Sequence, residues 1–254
     1  MSGRAVVAQA RLETRLLLRS SESLLVTLGI PLGVLVFFSG VPVLPTGDVD
    51  AVTFLVPGVL GLSAAATGLV ASAIQTAYER KSGALKLLGA TPLGRGGFVA
   101  AKLASVLAIL VVQTGLVMGL ALALLGWRPD GGVGGVLLGA AGVLLAGLVM
   151  ASLGLWIAGT LTAELTTAVT NALFLVLLML GGVAVSPEVL PDALAAAGAA
   201  SPLGAAVAVL RALLDGGWGA SGGVLSGAAG SLVALIVWGG IGATLAVRTF
   251  RWEA

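Results

Sequence analysis

Residues 51–78 read AVTFLVPGVLGLSAAATGLVASAIQTAY, 28 residues without a charge, before the chain turns abruptly to Glu79-Arg80-Lys81. About 20 apolar residues in a helix already cross the roughly 30 Å hydrocarbon core of a bilayer, so this run is long enough to span it. The pattern recurs along the chain. Charge-free windows run 23–47, 51–78, 103–127, 131–163, 165–187 and 216–247, with lengths of 25, 28, 25, 33, 23 and 32 residues. Membrane strands would alternate apolar and polar residues over about 10 positions, and no such segment is present. The reading is a single all-α integral membrane domain over 1–254. Its six transmembrane helices fall at 24–41, 51–78, 100–126, 134–160, 164–185 and 222–247, with turns in the Gly-rich stretches Gly131–Gly135 and Gly216–Gly223.

Composition agrees and excludes several kinds of chemistry. Hydrophobic residues are 58% and charged residues 9%, against roughly 25% charged in a soluble domain. With no His and no Cys, the chain has no Cys or His metal site, no Ser-His or Cys-His nucleophile pair and no disulfide. A seventh window, 193–210, is 18 residues long and interrupted by Ser201-Pro202. Proline removes a backbone donor, so 187–211 reads as a re-entrant hairpin of two short helices before the last span.

Charge placement orients the spans. In the six-helix layout eleven of the thirteen basic residues fall on one side, leaving Arg128 and Arg211 on the other. Five acidic residues share the basic side and six face away, for nets of +6 and −4. The positive-inside rule places both termini in the cytoplasm. Ten Arg against three Lys point to a GC-rich bacterial source, hence a bacterial inner membrane. The first apolar run begins near Leu24 behind a long charged segment, so no cleavable signal peptide is expected and the first helix stays as an anchor.

Two segments outside the spans stand out. Over 4–22, at 100° per residue, Arg4, Arg11, Arg15 and Arg19 fall within an arc of about 80°, opposite Val6, Ala10 and Leu17. This suits a helix on the inner surface with its Arg stripe toward lipid phosphates; the alternative is a juxtamembrane segment that merely obeys the charge rule. Ser20 or Ser23 then caps the first span. The second segment, 79–95, begins Glu79-Arg80-Lys81-Ser82-Gly83-Ala84-Leu85-Lys86-Leu87-Leu88. It reads as a short charged helix with protruding leucines, held by Gly83 and stopped near Thr91-Pro92, or else as a solvated loop.

That segment, with Leu87-Leu88-Gly89-Ala90-Thr91-Pro92-Leu93 and Lys102, resembles the ABC-2 type permeases, membrane subunits of ATP-binding-cassette exporters. Phe54-Leu55-Val56-Pro57-Gly58-Val59 is similar to the opening of that family's second helix. Gly181-Gly182-Val183, Pro187, Leu190-Pro191, Ser201-Pro202-Leu203-Gly204 and Leu210-Arg211 resemble the signature after its fifth, with Gly204 where Thr is usual. The resemblance implies a connecting helix at 4–22, including Arg11 and Arg15, and a coupling helix at 79–93. Glu79, Arg80, Lys81, Gly83, Leu85, Leu87 and Leu88 would then meet a separate ATPase subunit. It also implies pairing with a second permease subunit, identical or homologous. The chain carries no Gly-x-x-x-x-Gly-Lys-[Ser/Thr] phosphate loop, so ATP and Mg would be bound by the partner, with no cofactor in this chain. Membrane lipids are expected partners and nucleic acid is not.

Within the spans, Thr162, Thr166, Thr167, Thr170 and Asn171 read as a polar stripe that lines a subunit interface or substrate path, unless its hydroxyls bond back to their own helix. Gln75 with Ser72, and Gln113 with Thr114, are lesser candidates, with hydrogen bonds inside the subunit as the simpler account. Glu164 suits a helix N-terminus. No span carries a carboxylate at its centre, against the alternative of an ion-coupled carrier or channel. A haem-export-type ABC permease keeps the same architecture. A membrane-embedded enzyme has neither His, Cys nor an intramembrane Asp pair to work with.

Overall fold

The structure, a computed structural model, describes residues 3–19, 28–40, 50–89, 94–183, 190–215 and 224–251. Among these residues every regular element is helical: α1 Gly3–Arg19, α2 Ile30–Gly40, α3 Ala51–Lys81, α4 Ala84–Gly89, α5 Gly94–Ala123, α6 Gly132–Thr160, α7 Ala163–Leu180, α8 Asp192–Ala200, α9 Pro202–Leu214 and α10 Val224–Thr249. The chain is an all-α integral membrane protein. Among the described residues five helices, α3, α5, α6, α7 and α10, are long and apolar enough to cross a bilayer, and the bent pair α8–α9 makes a sixth if it is one span. The described part of the expected first span, 24–41, includes only the 11-residue α2 and the half-turn before it. The cap at Ser20 or Ser23, the Thr91-Pro92 stop, Pro187 at the start of the hairpin and the Gly216–Gly223 turn lie outside the described residues.

α3 is the central helix. Over its first 15 residues it is apolar around its whole circumference and nearly all of them are buried, as expected for a stretch without a polar face. Asp50 caps it, accepting from the Val52 and Thr53 amides at 3.1 and 3.3 Å and satisfying two of the orphan donors at the helix start. Midway, Ala66–Ala71 widen into a π-helical turn. There α3 meets α6 without room for a side chain. A Cβ on Gly68 would lie 2.8 Å from the Gly147 carbonyl oxygen, and one on Gly154 2.7 Å from that of Leu69. Small residues permit this approach of backbones. Among the described glycines spaced by four, Gly115 and Gly119 face open space, whereas Gly135 and Gly139 abut the end of α9.

α7 and α10 lie at the rim, where Leu175, Val176, Met179, Val233, Ile236 and Val237 are exposed. α8 and α9 meet at 81°. Ser201 makes the corner, with its hydroxyl 2.6 Å from the Gly198 carbonyl it donates to and 3.0 Å from the Gly204 amide it accepts from. Pro202 opens α9, where its missing N–H is no loss.

Candidate functional site

The basic end of the bundle is built from the last turn of α3, α4, the start of α5, α1 and the residues around 160 and 250. α3 does not stop at Tyr78; Glu79, Arg80 and Lys81 form its final turn. Ser82 and Gly83 then turn the chain, Gly83 with φ of +80°, a left-handed conformation open to glycine. The expected coupling helix over 79–93 is therefore split, and among the described residues Ala84–Gly89 form the separate helix α4.

This arrangement divides the predicted coupling residues. Leu85 is 0% exposed, in a cluster with Phe98 of α5, Phe250 and, at its edge, Val6 of α1; the two rings lie 5.2 Å apart. It is not one of the protruding leucines. Leu87 is 76% exposed and takes that place. Lys81 and Lys86 are exposed, and Tyr78 is nearly half exposed. Lys81 pairs with Glu164 in the first turn of α7. Arg80 is buried and donates to the Leu161 carbonyl at the end of α6, where a cation complements the helix dipole. Arg11 and Arg15 of α1 are exposed. The Leu88 side chain is outside the described residues.

Glu79 belongs to a buried charge cluster. Lys102 of α5, its side chain 2% exposed, lies 2.8 Å from Glu79 Oε2, and its Nζ donates to Oε1 at 2.9 Å. It also lies 3.1 Å from Glu13 Oε2 of α1. Each carboxylate accepts from a glutamine one turn earlier: Gln9 Nε2 to Glu13 Oε1 at 2.9 Å, and Gln75 Nε2 to Glu79 Oε1 at 2.8 Å. Ser105 Oγ adds a bond of 3.3 Å to Glu13. Burial pushes the Glu13 carboxyl above the ordinary carboxylate range, Lys102 and Gln9 pull it back, and the Glu79 charge adds to the rise. Sequence reading left Glu13 without a role, although a signal was there. At 100° per residue it falls beside Val6, Ala10 and Leu17, a carboxylate in the middle of the apolar face.

The polar residues of the spans do not form one surface. Thr166 and Thr170 are buried, Thr167 is half-buried and Asn171 is exposed. Thr167 donates to Ala163 O, Thr170 to Thr166 O and Asn171 Nδ2 to Thr167 O, at 2.9, 2.7 and 2.9 Å, while Thr162 caps α7. The Thr167 and Thr170 hydroxyls turn back on their own helix, whereas the buried Thr166 hydroxyl has no hydrogen-bond partner among the described residues. Gln113 is buried and accepts from Thr67 in the π-helical turn of α3 at 3.0 Å; Thr67 had no sequence signal beyond its hydroxyl.

At the opposite end, motifs distant in sequence converge. Arg211 Nη2 donates to Gly182 O at 2.7 Å, and the guanidinium stands 4.7 Å over the Phe54 ring. A Cβ on Gly58 would lie 3.3 Å from Val183 O, and Leu203 packs against Gly181. The Phe54–Val59, Gly181–Val183, Ser201–Gly204 and Leu210-Arg211 segments thus form one packing site.

Fold and site define a multi-pass all-α membrane protein with a charged, folded end. The family described as ABC-2 type transporter matches residues 5–214, and the chain belongs to that family. It is an ABC permease subunit, a membrane component of transport and not itself catalytic. No curated protein matches the chain.

Proposed function

We propose that the chain is the permease subunit of an ABC exporter, moving a drug, lipid or glycan-like substrate out of the cytoplasm. ATP and Mg are bound by a separate nucleotide-binding subunit, and a second permease subunit completes the membrane part. The basic end faces the cytoplasm of a bacterial cell, as the +6 against −4 charge balance favours. There α4 serves as coupling helix and α1 as connecting helix. The observation that carries this reading is the form of α4. It is pinned underneath by Leu85 against Phe98 and Phe250 and offers Leu87 upward beside Lys81 and Lys86. An exposed apolar side chain on an anchored, basic helix is a surface that a soluble partner grips and through which it pushes the spans.

Leu87→Asp tests it, because the exposed side chain leaves the bundle intact. A charge left unpaired in a buried contact costs about 2–5 kcal/mol, and every 1.4 kcal/mol is tenfold in affinity. Membrane insertion and melting temperature should match wild type while transport-stimulated ATP hydrolysis and export both fall at least about tenfold. Transport at wild-type rates in a background lacking the ATPase overturns the exporter reading.

A further inference from the structure

The Glu13–Lys102–Glu79 cluster brings three helices to one ammonium. Gln9-x-x-x-Glu13 on α1 and Gln75-x-x-x-Glu79 on α3 approach Lys102 from two sides with the same chemistry, a carboxylate held by a glutamine one turn before it. On α5, Phe98 lies one turn before Lys102, its ring 5.7 Å from the Lys102 ammonium, and packs on Leu85 of α4. One turn of α5 therefore touches α1, the end of α3 and α4.

Apolar packing by itself fixes the roll of a helix weakly, because neighbouring apolar residues exchange places at small cost. A buried carboxylate does not permit this: only one rotation of α1 brings Glu13 to a cation, and every other leaves a charge without a partner. We propose that Lys102 is a positioning residue that sets the rotational register of α1 through Glu13 and ties α1 to the end of α3 through Glu79. With Glu13 turned inward, Arg11 and Arg15 are held outward. α1, the last turn of α3 and α4 form one body. That this body faces the ATPase rests on the exporter reading; the register itself does not.

The chain contains no cysteine, so spin labels placed through Val7→Cys on α1 and Ser82→Cys, both at exposed positions, report the α1-to-turn distance by pulsed electron resonance in the full chain in lipid nanodiscs. Glu13→Leu is the decisive variant. It keeps the face of α1 apolar and leaves Lys102 paired with Glu79, so no unpaired charge prevents folding. The expected result is an unchanged melting temperature with a distance distribution about twofold broader or more. The full charge reversal Glu13→Lys, Lys102→Glu, Glu79→Lys, which places one carboxylate between two cations, should narrow it. A distribution in Glu13→Leu as narrow as in wild type overturns the proposal, since apolar packing would then set the register unaided. This measurement needs no ATPase. ATP-dependent export by the same variants tests the exporter reading separately.

Discussion

At the basic end of the bundle a lysine sits between two carboxylates from two other helices; at the opposite end an arginine rests on a backbone carbonyl and a phenylalanine ring. Both cations pin helices remote in sequence, but they tolerate burial for different reasons. Lys102 carries a compact, strongly hydrated charge that is stable in the interior only with ionised partners. Arg211 spreads its charge over a planar, weakly hydrated group that stacks on aromatic faces and meets carbonyls. The first arrangement depends on its cation: without Lys102 both carboxylates are stranded, whereas without Glu13 the ammonium keeps Glu79. The second depends on shape and survives with neutral partners.

Removing single members should separate the two ends. Lys102→Met leaves Glu13 buried and Glu79 half-buried without their cation and should lower stability by about 3–5 kcal/mol. The triple change Lys102→Met, Glu13→Gln, Glu79→Gln should recover most of that loss in thermal melts of the detergent-solubilised chain. If the triple variant melts as low as the single one, unpaired charge is not the cause. Arg211→Met should lose about 2–3 kcal/mol, through the charged hydrogen bond to Gly182 and the stacking on Phe54. Neutralising Asp215, the exposed acid one turn on that Arg211 attracts, should recover little of it, because that carboxylate stays in contact with water. Between the ends, where α3 and α6 meet by backbone approach, Gly68→Ala should cost about 1–3 kcal/mol by overpacking. Gly115→Ala, facing open space, should leave the melting temperature unchanged or raise it slightly.

The smallest effect is in pH. Glu13 holds its proton to higher pH in the folded chain than in the unfolded one, being buried against Glu79 despite Lys102, Gln9 and Ser105. Its contribution is therefore full below the ordinary carboxylate range and is lost as pH rises through the raised folded value. Melts of wild type and Glu13→Gln across acid to neutral pH should show the wild type losing stability relative to the variant, with a slope of at most about 1.4 kcal/mol per pH unit. Equal slopes would mean that Lys102 cancels the burial entirely.

Much of the fold was legible because a bilayer imposes length and apolarity on each span. The window 51–78 lies inside α3, 134–160 inside α6, and the Ser201-Pro202 break falls at the α8–α9 corner. Boundaries shifted where charge and helix disagreed. Glu79, Arg80 and Lys81 continue α3 because Arg80 finds the end of α6, Lys81 finds Glu164 and Glu79 finds Lys102, partners that no local pattern announces. α7 ends at Leu180, short of the expected 185, at the Gly181-Gly182 turn that receives Arg211. Along α7 the expected stripe is divided by burial, residues 166 and 170 facing inward while 171 does not.

By itself the sequence determined that this chain is a helical membrane protein and, through ordered motifs, its family. Those properties are local: apolar length, charge between spans and short signatures are each contained in a few consecutive residues. Only the tertiary structure decided that Leu85 is buried and Leu87 exposed, that Glu13 and Glu79 share Lys102, and that Phe54 lies under Arg211. These facts depend on which helices become neighbours and at what rotation. That choice is made by backbone approach at Gly68 and Gly154 and by the pairing of buried charges, interactions between residues as far apart in sequence as Glu13 and Lys102.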